Sequence, residues 1–138
     1  MRQVFIDSSA WIAVLNTNDV RHAQAAKLYR ELLTDNAAFV TTGLILSETQ
    51  VFLRRRIGYE VAMSFLTSVN ESARIKVVFP DLSMERQAKQ ILRQFTDQDF
   101  SLTDAISFVV MKEMGVSQAF AYDNHFTTAG FELLQSAT

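Results

Sequence analysis

Acidic side chains follow two predicted strands of this chain, at positions where a carboxylate can bind a cation. Asp7 follows the apolar run of residues 4–6, and Asp123 follows the apolar run of residues 118–122. In an open sheet covered by helices, ligands bind at the carboxyl ends of the strands. Both carboxylates are therefore expected at one edge of the sheet, where a functional site would form.

Two further acids belong to predicted helices. Glu48 lies within a helix over residues 43–56, among the apolar positions Leu44, Ile45, Val51 and Phe52. We expect it on the buried face of that helix, where a carboxylate needs a buried cation or a polar cavity. Asp104 begins a helix over residues 102–114 and shares its apolar inner face.

Each of these acids also has a plainer structural explanation. Asp7 lies where a residue caps a helix N-terminus, and Asp123 before Asn124 suits an Asx-turn. Ser101 and Asp104 match a capping box. Taken one at a time, these explanations are favoured for the three aspartates, so the catalytic interpretation depends on the acids meeting in one place.

Four carboxylates at one sheet edge would bind a divalent metal. Right-handed crossovers bring strand ends and the following helix N-termini to the same edge, and clustered carboxylates repel each other unless a cation compensates. Oxygen ligands select Mg²⁺ or Mn²⁺ over Zn²⁺. The chemistry expected from such a site is attack of a metal-activated water on a phosphodiester, with one or two ions.

The elements that must position these acids alternate between strand and helix along the whole chain. Strands are predicted at residues 4–6, 37–41, 74–79 and 118–122, with a final edge strand at 131–134. Helices are predicted at residues 10–15, 20–33, 43–56, 59–69, 83–95 and 102–114. This alternation predicts an α/β fold in one domain over residues 1–138, with a mainly parallel sheet of four to five strands and helices on both faces.

Composition narrows the function classes. The chain has 138 residues, 49% of them hydrophobic, and its net charge of −2 gives no overall attraction for a polyanion. It lacks cysteine, which excludes disulfides and thiolate metal sites. It has no apolar run of the roughly 20 residues that span a bilayer, and no signal peptide pattern. We therefore expect a soluble, cytoplasmic protein whose nucleic-acid contacts are local.

The four acids lie in the short segments Phe5-Ile6-Asp7-Ser8-Ser9, Leu46-Ser47-Glu48, Leu102-Thr103-Asp104-Ala105 and Tyr122-Asp123-Asn124-His125-Phe126. In order and spacing, these segments resemble the acidic motifs of the PIN-domain ribonucleases, and the chain is similar in size to the VapC toxins of bacterial toxin–antitoxin pairs. The resemblance implies a Rossmann-like sheet, dependence on Mg²⁺ or Mn²⁺, and RNA cleavage that leaves a 5′-phosphate and a 3′-hydroxyl. It also implies a homodimer and inhibition by an antitoxin protein.

The resemblance assigns roles residue by residue. The four motif acids, Asp7, Glu48, Asp104 and Asp123, would be the catalytic metal ligands, with Ser8 a polar helper beside Asp7. Ser8 or Ser9 is expected to cap the first helix, which would free Asp7 for the metal. Asp99 is an auxiliary candidate ligand. Ala121 departs from the pattern, because many members have Thr or Ser there.

Three arginines, Arg54, Arg55 and Arg56, end the third predicted helix. They either complement the helix dipole or contact RNA phosphates.

Two other functions are alternatives to a ribonuclease. One is a Mg²⁺-dependent phosphatase or phosphoacceptor domain, for which trapped phosphate on Asp7 would be diagnostic. The other is an inactive RNA-binding or protein-binding module, whose melting temperature would not respond to Mg²⁺ or Mn²⁺.

Overall fold

The computed structural model describes residues 2–135, so both ends of the predicted domain, Met1 and residues 136–138, lie outside the described residues. Within the described residues the chain forms five strands and seven helices. In chain order these are β1 (Gln3–Ile6), α1 (Ser8–Leu15), α2 (His22–Thr34), β2 (Ala38–Thr42), α3 (Gly43–Arg56), α4 (Tyr59–Glu71), β3 (Ile75–Val78), α5 (Leu82–Gln94), α6 (Leu102–Met114), β4 (Gln118–Phe120), α7 (His125–Thr128) and β5 (Glu132–Leu133).

All five strands join one parallel sheet in the order β3-β2-β1-β4-β5. In the centre of the sheet, Val4 of β1 lies opposite Phe39 of β2, and Ile6 lies opposite Phe120 of β4. The prediction of a mainly parallel sheet with an edge strand near residues 131–134 is confirmed.

The strand order reverses between β1 and β4. The chain moves outward from β1 through β2 to β3, and then returns to place β4 on the other side of β1. Right-handed crossovers put the helices of these two halves on opposite faces of the sheet. The packing agrees, since α1 contacts α2 and α3, α3 contacts α4, and α5 contacts α6. A crevice forms where such a strand order reverses, and there open α/β sheets bind their ligands.

The core is built from strands that are apolar on both sides and from the helices that cover them. Val4, Phe5 and Ile6 of β1 are fully buried, as expected for a central parallel strand. Helix α6 is buried over almost its whole length, from Asp104 to Met111. Phe126, just after the catalytic-candidate Asp123, packs edge-on against Phe108 of α6 with ring centroids 5.2 Å apart. This anchor holds the chain after β4 against the core.

Short-range signals set several helix ends. The Thr42 side chain accepts a hydrogen bond from the Ile45 amide at the start of α3, and Asp81 accepts one from the Met84 amide at the start of α5. Gly115 ends α6 in the left-handed conformation, with φ of 68°. These caps lie within two residues of the predicted boundaries because they depend only on neighbouring residues.

Several element boundaries differ from prediction; helix α1, for example, begins at Ser8, two residues before its predicted start at residue 10. Strand β4 ends at Phe120, not at residue 122, because the Tyr122 amide donates to the Ser9 hydroxyl; Asp123 therefore lies three residues beyond the strand. Helix α2 begins at His22, not at residue 20, because the Asp19 side chain accepts a hydrogen bond from the Arg21 amide in the preceding turn. The predicted turn at Asn124 continues into the short helix α7.

Among residues 2–135 there is no helix with the length and apolar character needed to cross a membrane.

Candidate metal centre and active site

Asp7 lies at the junction of β1 and α1 and is itself the N-cap of that helix. Its backbone is extended, and its Oδ2 accepts hydrogen bonds from the Ser9 amide at 3.3 Å and the Ser9 hydroxyl at 2.7 Å. The expectation that Ser8 or Ser9 caps the helix and frees Asp7 is wrong. A residue between an extended strand and a helix has the cap geometry by position, so Asp7 caps α1 and also belongs to the sheet edge.

Burial raises the pKa of the Asp7 carboxyl from 3.8 to about 6, although the two hydrogen bonds from Ser9 lower it. The negative charges of Asp104 and Asp123 raise it further. Asp7 is only 5% exposed. Asp104 and Asp123 are therefore close enough to Asp7 for their charges to contribute to this increase, although burial is its main cause.

The two serines after Asp7 have different partners. The hydroxyl that contacts Asp7 belongs to Ser9, which also accepts a hydrogen bond from the Tyr122 amide at 2.9 Å. The Ser8 hydroxyl instead donates to Oε1 of Glu48 at 2.5 Å. Ser8 therefore orients Glu48, and the serine whose hydroxyl contacts Asp7 is Ser9, not Ser8 as predicted. The Ser9 hydroxyl also contacts the loop after β4. In that loop Ala121 has no hydroxyl group of its own.

Glu48 is exposed and lies beside the buried face of α3, not on it. The buried residues of this helix are Ile45, Thr49 and Leu53, and Val51, expected to be buried, is 39% exposed. The buried stripe was misplaced because it includes a threonine, which is polar. The Thr49 hydroxyl donates to the Ile45 carbonyl at 2.7 Å and is satisfied within the helix.

Asp104 combines the cap and the site. Its Oδ2 accepts a hydrogen bond from the Ser101 amide at 3.0 Å, and the Ser101 hydroxyl accepts one from the Asp104 amide, which completes the predicted capping box. The same Oδ2 lies 3.0 Å from Nδ1 of His125. The structural and the catalytic interpretations of Asp104 are therefore compatible.

His125 is the residue that sequence reasoning missed. Its Nδ1 lies 3.0 Å from Oδ2 of Asp104 and 3.1 Å from Oδ1 of Asp123, and its amide donates to that same Asp123 oxygen at 2.8 Å. The sequence signal was present, since a histidine two residues after an acid in a turn can reach the same carboxylate. A prediction that treated residues 124 and 125 only as a turn could not detect it.

The pKa of His125 is raised overall. Burial lowers this pKa, but the hydrogen bond to Asp104 and the negative charges of Asp123, Asp104 and Asp99 raise it by more. Protonated His125 therefore acts as a cation between two carboxylates. Asp99 is exposed and close enough to favour that charge.

Ligand atoms of Asp104, Asp123 and His125 all lie within 4.8 Å of one another, the one such group of potential metal ligands among the described residues. Asp7 and Glu48 lie outside this group. Asp7 adjoins it through the Ser9 and Tyr122 contacts, and Glu48 adjoins Asp7 through Ser8. Two carboxylates that converge on the same ring nitrogen provide the oxygen donors that Mg²⁺ and Mn²⁺ favour, so the residues fit a hard divalent cation.

The three arginines lie away from this edge. Helix α3 starts at the sheet edge, and at 1.5 Å per residue Arg55 lies about 10 Å further along the helix axis than Glu48. Arg54 and Arg56 are exposed and lie over the rings of Tyr59 and Phe52, at 5.1 and 5.3 Å from the ring centroids. Any contact of theirs with RNA would be distant from the acids.

Residues 4–132 match the sequence profile of the PIN domain. The chain belongs to the PIN-domain family. Among curated relatives of this PIN domain, the 23S rRNA-specific endonuclease VapC20 of Mycobacterium tuberculosis is 32% identical over 128 residues, covering 93% of this chain and 95% of the relative. The VapC ribonuclease of Archaeoglobus fulgidus is 27% identical over 124 residues, covering 88% and 78%.

Solved structures agree with this assignment. The crystal structure of Mycobacterium tuberculosis VapC20, described as a Sarcin-Ricin loop cleaving toxin, has a TM-score of 0.86 and 30% identity, with 96% of this chain and 99% of that chain covered. VapBC2 from Rickettsia felis has a TM-score of 0.68 at 12% identity, covering 96% and 97%, and shows only the shared fold. This PIN domain is therefore of the VapC type.

Proposed function

We propose that this PIN domain is a Mg²⁺- or Mn²⁺-dependent endoribonuclease, the toxin of a VapC-type toxin–antitoxin pair. The observation that carries the proposal is the convergence of Asp104 and Asp123 on one ring nitrogen, Nδ1 of His125, at the point where the sheet order reverses. Asp7 lies at the same edge with its pKa raised to about 6. The clustering of these carboxylates supports the proposal of a metal site.

Asp7, Asp104 and Asp123 would hold the metal, with Glu48 as a fourth acid at the exposed rim. When bound, the ion lowers the pKa of a water molecule and stabilises charge on the phosphate. Ser9 fixes one oxygen of Asp7, and Ser8 orients Oε1 of Glu48. Glu48 is exposed, so it can accept a proton from water that enters the site.

His125 has a separate role in this scheme. In the protein without metal it holds Asp104 and Asp123 together by donating from Nδ1, which lowers their mutual repulsion. A divalent ion carries more charge than the imidazolium and would relieve the same repulsion. His125 therefore keeps the site assembled when no metal is present.

RNA is the proposed substrate. The VapC20 relative is named for cleavage of 23S rRNA, so large-subunit ribosomal RNA is the first RNA to test, beside unstructured oligonucleotides. The net charge of −2 means that local contacts, not overall attraction, must bind the RNA. A cytoplasmic location, where ribosomes are found, is consistent with such a substrate.

A cognate antitoxin and a homodimer complete the proposal. The described surface exposes several large apolar side chains around the α3–α4 corner, which are Val51, Ile57, Tyr59 and Met63. A cleft of about 600 Å³ between α1, α2 and α4 is lined by Trp11, Tyr29 and Phe65, among others. Apolar surfaces of this kind are typical of protein interfaces. Light scattering of the purified chain tests the homodimer, and light scattering of the chain with its antitoxin tests the complex.

The proposed activity is tested with purified protein and end-labelled RNAs, with Mn²⁺, Mg²⁺ or EDTA. We expect cleavage that EDTA abolishes and that Asp7→Asn lowers by about a hundred-fold or more. The matched control is Asp35→Asn, which removes an exposed carboxylate at the end of α2 and should stay within about two-fold of wild type. Equal cleavage by a folded Asp7→Asn variant, or cleavage that persists in EDTA, would contradict the proposal.

A further inference from the structure

A cavity of about 350 Å³ opens next to Asp123, between the start of α2 and the loop that follows β4. Its polar lining residues are Arg21, Gln24, Tyr122, Asn124 and Gln135. A cavity of this volume lies at the small end of the range for ligand pockets. It therefore suits a group about the size of one nucleotide.

The cavity combines an aromatic ring with a planar cation. The guanidinium carbon of Arg21 lies 5.0 Å from the centroid of the Tyr122 ring, and the Arg21 side chain is exposed. The Tyr122 hydroxyl is buried without a hydrogen-bond partner among the described residues. Tyr122 therefore lines the cavity with the Arg21 guanidinium over its ring, while its hydroxyl is unavailable to a ligand.

The wall of this cavity is part of the catalytic loop. Tyr122 and Asn124 are the chain neighbours of Asp123, and the Tyr122 amide is tied through the Ser9 hydroxyl to Oδ2 of Asp7, at 2.9 and 2.7 Å. The backbone therefore fixes the position of the cavity relative to Asp123, and the two hydrogen bonds of the Ser9 hydroxyl fix it relative to Asp7.

We propose that this cavity binds one nucleotide of single-stranded RNA next to the cleaved phosphodiester, an inference that rests on the proposed ribonuclease function. Stacking on aromatic rings and on arginine guanidinium planes is the usual way in which proteins hold unpaired bases. Arg21 and Tyr122 supply that platform, and Arg21 can also donate to a phosphate. The amides of Gln24 and Asn124 supply donors and acceptors for the edge of the base. These residues determine which nucleotide flanks the cut.

The central test compares Arg21→Gln with Arg30→Gln. Both variants remove one exposed arginine from α2 or its N-cap, but Arg30 lies outside the cavity. With a single-stranded RNA substrate and Mn²⁺, we expect Arg21→Gln to raise KM by about ten-fold and leave kcat within about two-fold. Arg30→Gln should change neither. Equal KM values for the two variants would overturn the inference.

Two further variants separate stacking from base recognition. Tyr122→Leu removes the aromatic ring from the cavity and should raise KM for the single-stranded RNA. Gln24→Ala should change the base preferred next to the cut, scored by sequencing the products from a randomised RNA. An unchanged preference together with an unchanged KM for Tyr122→Leu would also count against the cavity.

Failure of the inference and failure of the proposed function give different results. If the wild type cleaves RNA and the two arginine variants are alike, the inference alone fails. If the wild type neither cleaves a single-stranded oligonucleotide nor binds it in a fluorescence anisotropy titration, the proposed function fails and the inference fails with it.

Discussion

At the scale of single residues, Asp7 has two roles with opposite demands. As the N-cap of α1 it stabilises the helix, but as a buried carboxylate with a pKa of about 6 it destabilises the fold when ionised. Natural proteins keep such conflicts mainly at functional sites. The conflict at Asp7 is therefore itself consistent with a catalytic role.

This conflict gives a prediction for Asp7→Asn. The pKa of Asp7 in the folded state is above the unfolded value of 3.8. The contribution of Asp7 to the free energy of unfolding is therefore most favourable below pH 4 and falls as the pH rises to about 6. Asparagine caps a helix as well as aspartate does and carries no charge. We expect Asp7→Asn to be more stable than wild type at pH 7.5 without metal, by roughly 2–3 kcal/mol at most, and equally stable near pH 4.

Urea unfolding in EDTA at the two pH values measures this difference. Asp35→Asn serves as the control, because that side chain is 63% exposed and its substitution should have no comparable pH dependence. If Asp7→Asn is less stable than wild type at pH 7.5, the prediction is wrong. Helix capping by the charged carboxylate then outweighs the cost of burying its charge.

A second prediction at this scale concerns His125 and the metal. The imidazolium Nδ1 contacts Asp104 and Asp123, the acids proposed to hold the metal, so a proton on His125 competes with that metal. Wild-type affinity for Mn²⁺ should fall between pH 7.5 and pH 6, by up to about ten-fold per pH unit. The affinity of His125→Asn should fall less, since this variant lacks the imidazole whose proton competes with the metal. Calorimetric titration with Mn²⁺ at both pH values tests this, and parallel losses in the two proteins would refute the competition.

At the scale of elements, the site depends on one link between α1 and the loop after β4. The Ser9 hydroxyl donates to Asp7 and accepts from the Tyr122 amide, residues separated from it by 2 and 113 positions. The neighbouring Ser8 makes its hydroxyl contact with α3 instead, through Glu48. Adjacent serines of one helix turn thus fix two different parts of the site.

Ser9→Ala should therefore be more damaging than Ser8→Ala. It leaves the part-buried Tyr122 amide without its acceptor and removes the hydroxyl donor to Asp7, which keeps only the backbone amide of residue 9; this loss costs about 1–3 kcal/mol. It should also raise the pKa of Asp7 further and shift the acid limb of the activity profile to higher pH. Ser8→Ala affects an exposed carboxylate that water can solvate. Thermal unfolding and pH–rate profiles of both variants measure the contrast, and equal effects would argue against the Ser9 link.

At the scale of the whole molecule, the reversal of strand order between β1 and β4 brings the acids together. Asp7 comes from the first half of the sheet, whereas Asp104 and Asp123 come from the second half. Glu48 reaches the same edge from α3, which follows the strand next to β1. These acids make one edge of the sheet negatively charged, which repels RNA. Binding of RNA must therefore depend on basic side chains elsewhere on the surface.

The arginines at the end of α3 are candidates for that role. Changing Arg54, Arg55 and Arg56 together to glutamine should raise KM for RNA at low salt, leave kcat unchanged and reduce the salt dependence of KM. A matched triple variant of α5, with glutamine at positions 86, 89 and 93, removes the same charge from another exposed helix. If the α3 arginines only complement the helix dipole, their loss should lower the melting temperature and leave KM equal to that of the α5 variant.

Local features of this protein were predictable because they depend on residues a few positions apart. The alternation of strands and helices, the capping box of Ser101 and Asp104, and the edge strand near Leu133 all follow from periodicity and cap chemistry. The four acids were identified by their place at strand ends and on helices. Their assignment as metal ligands stays a prediction.

Only the tertiary structure decided how these acids are used. Asp7 caps its own helix, Ser9 replaces Ser8 as its partner, Glu48 is exposed, and His125 joins Asp104 across 21 positions. Sequence periodicity cannot give such contacts, because they depend on how elements distant in the chain pack. A polar residue such as Thr49 can occupy the core when its hydroxyl bonds its own helix, so hydropathy also misplaces a buried face by one residue.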